Sequence, residues 1–342
     1  RGRVDEDPLV SGVRSWPRIR GDHEGKINER CPRYRCSGPK AGGPPGRRIH
    51  QGRRSVGASR IDLLYAIGGR GPSKIEEGEV RMTKEDAIDD LARRYLAAEA
   101  ERAALEPISV ICPHLTVEEA YRVQMAIVAR KLAAGEELAG KKVGATNEAI
   151  QRAMMISEPI YGTIFKSQQI ASGDAASISR LIHPKVECEI AFTLNKDLSG
   201  PGATFEDALE AAGAVTAAIE INDARTRDWM IGTREVVADH GVAARFVLGE
   251  RVLAAGDLDL RMVKVVMEKN GEEVARSKGA AILGNPAASV AWLANKVAEH
   301  DGGLRAGEVI LAGSMTPMMP VGRGDLIEAR FDDLGTVSVR FD

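Results

Sequence analysis

A strict two-residue alternation over Lys185–Leu194 predicts a β-strand in the middle of the chain. Every second residue is apolar, namely Val186, Cys188, Ile190 and Phe192. Because successive side chains of a strand point to opposite sides of a sheet, the other side carries Glu187 and Glu189 together. Two neighbouring carboxylates repel each other unless a proton or a cation offsets their charge. This strand therefore either faces water at that side or helps to bind a cation.

A third glutamate lies in a second predicted strand, over residues 215–221. Glu220 stands between Ile219 and Ile221, and a carboxylate in such an apolar strand needs a partner. Three oxygen ligands with open coordination positions suit Mg²⁺ or Mn²⁺, which also bind water or chelating substrate oxygens. For the Glu-x-Glu pair taken alone, a solvent-facing edge strand is the alternative. Glu220 favours the metal site.

The remaining elements mix helices and strands without regular alternation. Helices are predicted from the capping pair Thr83 and Asp86 to about Arg102, from Thr116 to about Gly135, around Ala149 to Met154, and over 204–213 and 287–299. A strand is predicted over 308–312, and hairpins over 263–276 about Asn270-Gly271 and over 325–341 about Asp333-Leu334-Gly335. Glycines in residues 140–146 indicate close approach of another backbone. The fold class predicted is α+β, with a bent mixed or antiparallel sheet and flanking helices.

Residues 1–81 differ in composition from the rest of the chain. They hold 18 of the 47 Lys and Arg, 10 of the 49 Asp and Glu, 14 of the 36 Gly and 7 of the 15 Pro. Their charge is about +8 and that of residues 82–342 about −10, and no apolar periodicity is present. We expect a disordered basic tail over 1–81 and one folded domain over 82–342. All ten methionines occur at Met82 or later, so a further hypothesis is that translation starts there.

Several classes of protein do not fit this composition. A nucleic-acid-binding arm would need interleaved aromatics, and the tail has only Trp16, Tyr34 and Tyr65, so we expect no nucleic-acid partner. No run approaches the roughly 20 apolar residues of a membrane helix, so we expect no membrane association. Four scattered cysteines form neither a disulfide framework nor a zinc site, which favours the cytoplasm.

Four ordered motifs carry a family resemblance: residues 183–192, 219–225, 237–239 and 307–316. They resemble the fumarylacetoacetate hydrolase superfamily, and within it the branch of 2-keto-4-pentenoate hydratases and 4-oxalocrotonate decarboxylases. The resemblance extends from about Met82 to Asp342 and implies a fumarylacetoacetate hydrolase-like fold. Residues 1–81 have no counterpart in it.

The resemblance also implies roles for individual residues. It assigns the metal ligands to Glu187, Glu189 and Glu220, in agreement with the strand patterns. The catalytic lysine falls on Lys142, in Lys142-Val143-Gly144, although an exposed lysine is the plain alternative. Thr316, Gly144 and His240 are implied to contact substrate. A turn threonine and a structural or surface histidine are the alternatives for Thr316 and His240.

Two segments depart from the family pattern. Where hydratases often carry an acidic residue in Pro-Asp-Phe/Tyr-Gly, this chain has Pro159-Ile160-Tyr161-Gly162. Where relatives read Ala-Asp-Asn-Ala-Ser, it has Ala238-Asp239-His240-Gly241-Val242. This chain therefore lacks a general acid or base at the first segment, and at the second it lacks two groups that could touch the substrate carboxylate. The identity of the substrate is therefore left open.

The function implied is that of a metal-dependent lyase for small-molecule 2-oxo acids in aromatic catabolism. We expect a hydratase that adds water to 2-hydroxypenta-2,4-dienoate-type acids, and a homo-oligomer. The 2-oxo and carboxylate oxygens of the substrate would chelate the ion. Lys142 would carry protons, and the cation and burial would lower its pKa toward neutrality. The alternatives are 4-oxalocrotonate-type decarboxylation, C–C hydrolysis of an acylpyruvate with His240 or Asp239 as base, and a non-catalytic ligand-binding relative.

Overall fold

A computed structural model describes residues 83–299 and 302–342. The expected disordered tail over 1–81 and the hypothetical start at Met82 lie outside the described residues. The helices are α1 (Lys84–Glu101), α2 (Ile108–Ile111), α3 (Val117–Ala133), α4 (Glu148–Met154), α5 (Phe205–Ala211), α6 (Thr233–Ala238) and α7 (Pro286–Ala298). The strands are β1 (Leu138–Gly144), β2 (Ile160–Phe165), β3 (Gln169–Ala171), β4 (Ala175–Ala176), β5 (Lys185–Leu194), β6 (Ala212–Asn222), β7 (Ala243–Leu248), β8 (Lys264–Lys269), β9 (Glu272–Lys278), β10 (Val309–Ser314), β11 (Met319–Pro320), β12 (Leu326–Phe331) and β13 (Gly335–Phe341).

Capping boxes start the two long N-terminal helices, as the sequence predicts. At α1 the Thr83 hydroxyl accepts the Asp86 backbone N–H, and the Asp86 carboxylate accepts the Thr83 N–H. Thr116 and Glu119 form the same pair at α3. These bonds satisfy N–H groups that have no partner within the helix. Each helix buries one apolar side, and the two helices pack against each other.

The strands form two mixed sheets. The first has the order β2-β1-β10-β5-β6-β7-β3, with β11 paired to β5, and the second has the order β4-β13-β12-β8-β9. β1 pairs with β10, β3 with β7 and β4 with β13 in parallel, whereas the other pairs are antiparallel. The hairpin between β8 and β9 turns at Asn270 and Gly271, whose φ angles of 57° and 82° fit a type I′ turn. The α+β prediction is confirmed.

The segment around Gly140 is a strand, which the sequence analysis did not predict. Gly140 lies in β1 beside β10, and a Cβ atom there would lie 1.9 Å from the Val309 carbonyl oxygen. The expected close backbone approach is therefore present. Its glycines and lysines have low strand propensity, which is why the pattern did not indicate a strand.

The two sides of the first sheet bury different side chains. The apolar residues of β5 lie in the main core, as the alternation predicts. The other side carries the three glutamates and also a small apolar cluster, formed by Ile164, Ala191, Ala218, Ala243, Phe246 and Leu311. The glutamates are therefore not on a water-exposed edge. In the described part of the chain, no helix combines the length and apolar character needed to span a membrane.

Candidate active site

Strand pairing brings the three glutamates together. Glu187 of β5 lies directly opposite Glu220 of β6, and Glu189 follows two residues later on the same side of β5. One carboxylate oxygen of each residue lies within 4.8 Å of the corresponding oxygen of the others. All three are buried, with Glu187 only 4% exposed and the other two fully covered. The structure thus assembles the predicted ligand set at one point.

The donor atoms of this cluster fit a divalent cation. Oε1 of Glu189 and Oε1 of Glu220 have no hydrogen-bond partner among the described residues, although both are buried. The second oxygen of Glu189 accepts the Gly313 backbone N–H at 2.8 Å, which fixes that carboxylate. Buried carboxylate oxygens ordinarily have a partner, and hard cations with oxygen ligands are the partners that a set of three carboxylates suits.

The electrostatics of the cluster also favour a divalent cation. Burial and the neighbouring Glu220 raise the pKa of Glu187 to about 8. Burial, Glu220 and Glu187 also raise the pKa of Glu189. Three like charges in a dry site cannot all ionise without compensation. A cation with two charges would compensate them more fully than the single nearby ammonium does.

That ammonium belongs to Lys142, whose side chain is also buried. Its Nζ lies 3.1 Å from Oε2 of Glu220 and donates to the Gly241 carbonyl oxygen at 3.1 Å. Burial lowers the pKa of Lys142, but the coulombic attraction of Glu220, Glu187 and Glu189 outweighs it, so the net pKa is raised. The lowered pKa expected from the sequence concerns the site with a cation bound. A lowered value requires a cation that neutralises the carboxylates.

Asn222 is a site residue that the sequence analysis missed. Its Nδ2 donates to Oε1 of Glu187 at 3.0 Å and to Oε2 of Glu220 at 3.4 Å, while its Oδ1 is buried and has no partner among the described residues. Asn222 is fully buried at the end of β6. A signal was available, because a residue two positions after Glu220 on a strand shares its side of the sheet.

A strained turn holds the second partner of Lys142. His240, Gly241 and Val242 have φ angles of 54°, 67° and 61°, a left-handed conformation that is unfavourable for a β-branched residue. The turn packs so closely on β2 that a Cβ atom at Gly162 would lie 1.9 Å from the His240 carbonyl oxygen. A Cβ atom at Gly241 would lie 2.7 Å from Cδ of Lys142. Both glycines are therefore required by this packing.

A buried ion pair fixes the start of the turn. The Arg225 guanidinium lies 3.2 Å from the Asp239 carboxylate, which also accepts the Arg225 backbone N–H at 2.8 Å. Arg225 donates in addition to the carbonyl oxygens of Asp223 and Ala243. The segment that departs from the family pattern is thus held rigidly against the lysine.

The imidazole of His240 has a structural environment. It is buried, packs edge-on against Phe165 with ring centroids 6.1 Å apart, and neither ring nitrogen has a hydrogen-bond partner among the described residues. Burial, followed by the positive charges of Arg225 and Lys131, lowers its pKa to about 3. The imidazole is therefore neutral, and it is the neighbouring Gly241 backbone that contacts Lys142.

Thr316 lies beside the predicted ligands of β5, and Gly144 lies beside Lys142. The Thr316 hydroxyl accepts the backbone N–H of Cys188, the residue between the two glutamates of β5, at 3.0 Å. A Cβ atom at Gly144 would lie 3.6 Å from Nζ of Lys142 and 3.2 Å from the Ile160 side chain. Thr316 thus fixes β5, and Gly144 leaves room beside the lysine.

Comparison with known proteins places the chain in a family. The sequence profile described as fumarylacetoacetate (FAA) hydrolase C-terminal matches residues 133–342, which is more than half of the chain. The chain belongs to the fumarylacetoacetate hydrolase family. The family resemblance noted in the sequence motifs is therefore confirmed. The matched region contains Lys142 and all three glutamates.

Individual relatives align with about three quarters of the chain. The 2-hydroxyhexa-2,4-dienoate hydratase of Comamonas testosteroni is 36% identical over 262 residues, which cover 76% of this chain and 99% of the relative. The 4-oxalocrotonate decarboxylase of Pseudomonas sp. strain CF600 is 38% identical over 261 residues, with the same coverage.

A solved structure shares the fold as well. The 4-oxalocrotonate decarboxylase of Pseudomonas putida G7, in complex with magnesium and adipate, is 37% identical and superposes with a TM-score of 0.74. The match covers 75% of this chain and 98% of that one. The predicted fumarylacetoacetate hydrolase-like fold is confirmed.

Proposed function

We propose that this protein is a metal-dependent hydratase that adds water to 2-oxo acids of the 2-hydroxypenta-2,4-dienoate type. The observation that carries the proposal is the buried group of three carboxylates with the Lys142 ammonium 3.1 Å from Glu220. Identity of 36% to a hydratase over nearly that relative's whole length supports the reaction class. Aromatic catabolism, where such acids arise, is the corresponding setting.

Glu187, Glu189 and Glu220 are the residues that would hold the metal ion, Mg²⁺ or Mn²⁺. A bound divalent cation supplies Lewis-acid polarisation of the 2-oxo group of the substrate. Asn222 keeps two of the carboxylates oriented, and the Gly313 backbone N–H orients the third. The magnesium in the related decarboxylase structure supports this choice of ion class.

Lys142 holds and moves the proton in this proposal. Its Nζ is fixed by Glu220 and by the Gly241 carbonyl oxygen, so its position is set before substrate arrives. A general acid or base must lie within hydrogen-bond reach of the group that it protonates. Because Gly144 has no Cβ, its backbone lies close to Nζ and to the Ile160 side chain.

Decarboxylation of a 4-oxalocrotonate-type acid is the second candidate, and Ile160 favours it. This buried apolar side chain lies next to Gly144, in the segment where hydratases often carry an acidic residue. Decarboxylation needs no group to activate water, whereas hydration does. Identity of 38% to a decarboxylase is consistent with this alternative.

Parallel turnover assays would distinguish the two reactions. We would measure the turnover of 2-hydroxypenta-2,4-dienoate, 4-oxalocrotonate and acetylpyruvate by the full chain. Each assay would be run with Mg²⁺ and after removal of metal by a chelator. Metal-dependent loss of the dienoate with formation of the hydrated product supports the hydratase. Faster release of CO₂ from 4-oxalocrotonate supports the decarboxylase, and cleavage of acetylpyruvate alone supports C–C hydrolysis. No turnover of any substrate with Mg²⁺ present would contradict the enzymatic proposal.

The same proposal includes assembly and location. We propose a homo-oligomer of this chain in the cytoplasm, acting on a small-molecule substrate. Sedimentation velocity of the purified protein measures the assembly, and a single species at the mass of one chain would contradict it.

A further inference from the structure

A second concentration of charge lies outside the carboxylate cluster. A cavity of about 380 Å³ is bounded by the end of α1, by residues 180–182 and by residues around the β6–β7 connection. Its charged lining consists of Arg102, Arg180, Arg225, Arg245, Glu99 and Asp223. A neighbouring cavity of about 330 Å³ shares Arg180, Leu181 and Arg245 with it. None of the three clustered glutamates and no atom of Lys142 lines either space.

The two carboxylates of this lining are already engaged by the protein. Asp223 accepts the backbone N–H groups of Ile182 and His183 at 2.8 and 2.7 Å, one on each carboxylate oxygen. Glu99 lies 2.8 Å from Nζ of Lys131. Neither carboxylate forms an ion pair with Arg180 or Arg245.

The arginines, in contrast, are only partly compensated. Arg225 has Asp239 as its counter-ion. Arg245 is half-buried, and its hydrogen bond is to the carbonyl oxygen of the preceding residue, Ala244, at 2.6 Å. Within residues 83–299 and 302–342, neither Arg245 nor Arg180 forms an ion pair with a carboxylate. Burial of the Arg245 guanidinium lowers its pKa, the charges of Glu99 and Asp223 offset part of this, and the neighbouring Arg225 and Arg180 lower it further.

We propose that this cavity binds a small anion that carries a carboxylate or phosphate group, with Arg245 and Arg180 as its principal ligands. A half-buried guanidinium without a counter-ion costs free energy, which an anion in the cavity offsets. The planar fork of arginine matches the two oxygens of a carboxylate or phosphate. The volume is at the lower end of the range for small-molecule sites, so it fits a metabolite rather than a chain segment.

Calorimetric titration of the Mg²⁺-loaded full chain tests the proposal. The probes are inorganic phosphate and succinate, a dicarboxylate without a 2-oxo group. We expect saturable binding of at least one probe, weakened at least tenfold by Arg245→Met. Arg330→Met, which removes an arginine ion-paired with Glu268 on the second sheet, is the matched control and leaves binding unchanged. Glu189→Gln, at the carboxylate cluster, should also retain it.

The outcomes separate the possibilities. Binding of phosphate alone or succinate alone identifies the anion class. If neither probe saturates, or if Arg245→Met binds as the unchanged protein does, the proposal is wrong. Loss of binding in Glu189→Gln but not in Arg245→Met would place the anion at the carboxylate cluster and also overturn it. Should Arg245→Met fail to fold, Arg180→Met is the second variant, because its exposed side chain tolerates replacement.

Discussion

The carboxylate cluster and the arginine-lined cavity are opposite cases of incomplete charge compensation. In the first, Glu187, Glu189 and Glu220 face the single ammonium of Lys142. In the second, four guanidinium groups line a cavity whose two carboxylates are bonded elsewhere, and of the four only Arg225 has a carboxylate partner among the described residues. Because unpaired charge is costly inside a protein, each region indicates the charge of what it binds. The first calls for a cation, and the second for an anion.

The two regions also arise from the chain in different ways. The cluster comes from two adjacent strands, through spacing by two residues and one cross-strand pair. The cavity comes from residues 99–102, 180–182, 223–225 and 244–245, which are far apart in sequence. Arg225 belongs to both surroundings, since it lines the cavity and pairs with Asp239 at the start of the turn that holds Lys142.

The largest expected effect is that of Lys142→Met. Removal of the only ammonium in the cluster should lower turnover by about 10²–10⁴-fold, the usual scale for a lost acid or base. Metal affinity should change little, because the lysine is not a ligand. The matched control is Lys141→Met, which changes a buried lysine on the other side of the same strand. Near-normal turnover of Lys142→Met would leave the metal as the sole supported catalytic element.

Replacement of a ligand should mainly affect the metal. Glu187→Gln keeps the size of the side chain and removes one charge, so we expect Mg²⁺ affinity to fall on the order of 10²-fold while the chain stays folded. Calorimetric titration with Mg²⁺ measures the loss, and circular dichroism checks the fold. Glu272→Gln, at an exposed position in β9, is the control. Unchanged Mg²⁺ affinity in Glu187→Gln would break the assignment of the cluster as a cation site.

Crowding of the strained turn should have an intermediate effect. Gly162→Ala and Gly279→Ala each place a Cβ atom 1.9 Å from a backbone oxygen, of His240 and Leu260 respectively, so both should destabilise the fold. Only the first displaces the turn whose next carbonyl, that of Gly241, accepts from Lys142, and it should lower kcat of the folded enzyme about tenfold or more. Steady-state kinetics normalised to the folded fraction would show the difference. Equal kcat values for the two variants would argue against positioning by the turn.

The pH dependence of stability should reveal the cluster directly. The pKa of Glu187 rises from 4.5 to about 8 in the folded chain, so its proton is bound more tightly there than in the unfolded chain. This contribution is fully present below pH 4.5 and is lost as the pH rises through about 8. In EDTA, Tm should therefore fall by a few °C or more from pH 5 to 9. Each kcal/mol lost from the free energy of unfolding lowers Tm by about 2–4 °C in a domain of this size.

Magnesium should remove this dependence, because a bound cation replaces the protons as the compensating charge. Parallel melts with Mg²⁺ should give a smaller fall over the same range. The Glu187→Gln variant in EDTA, which lacks the titrating group, should also show a flatter profile. A Tm that rises with pH in EDTA would contradict the raised pKa.

The smallest expected effect is that of removing the N-terminal segment. A chain that begins at Met82 should keep its turnover and its Tm, because residues 1–81 lack apolar periodicity. The same chain should also bind the anion probes as the full chain does, since the cavity is lined by residues after Met82. A substantial loss of turnover would show that the tail contributes to the carboxylate cluster. A selective loss of anion binding would show that it contributes to the cavity.

Much of the fold and of the carboxylate cluster could be predicted from sequence because both depend on short-range patterns. The alternation in β5, the capping boxes of α1 and α3, and the Asn270-Gly271 turn are all local signals. The strand nature of β1 was missed because its glycines serve a contact with β10, some 170 positions away. The pKa of Lys142 in the cation-free site is likewise not a local property. Its direction depends on distances to three carboxylates that only the folded chain defines.

The near-complete burial of the cluster has a consequence for rates. Glu189 and Glu220 have no exposed surface, and Lys142 is 2% exposed, so solutes reach them only after a covering segment moves aside. Such an opening is a unimolecular event, whose rate does not depend on the solute that enters or leaves. Release of an ion to a chelator should therefore reach a rate that further chelator does not increase. When opening is slower than dissociation of the ion from its ligands, that plateau is the opening rate of the protein, and it is then also an upper limit on how often substrate can be admitted and product released.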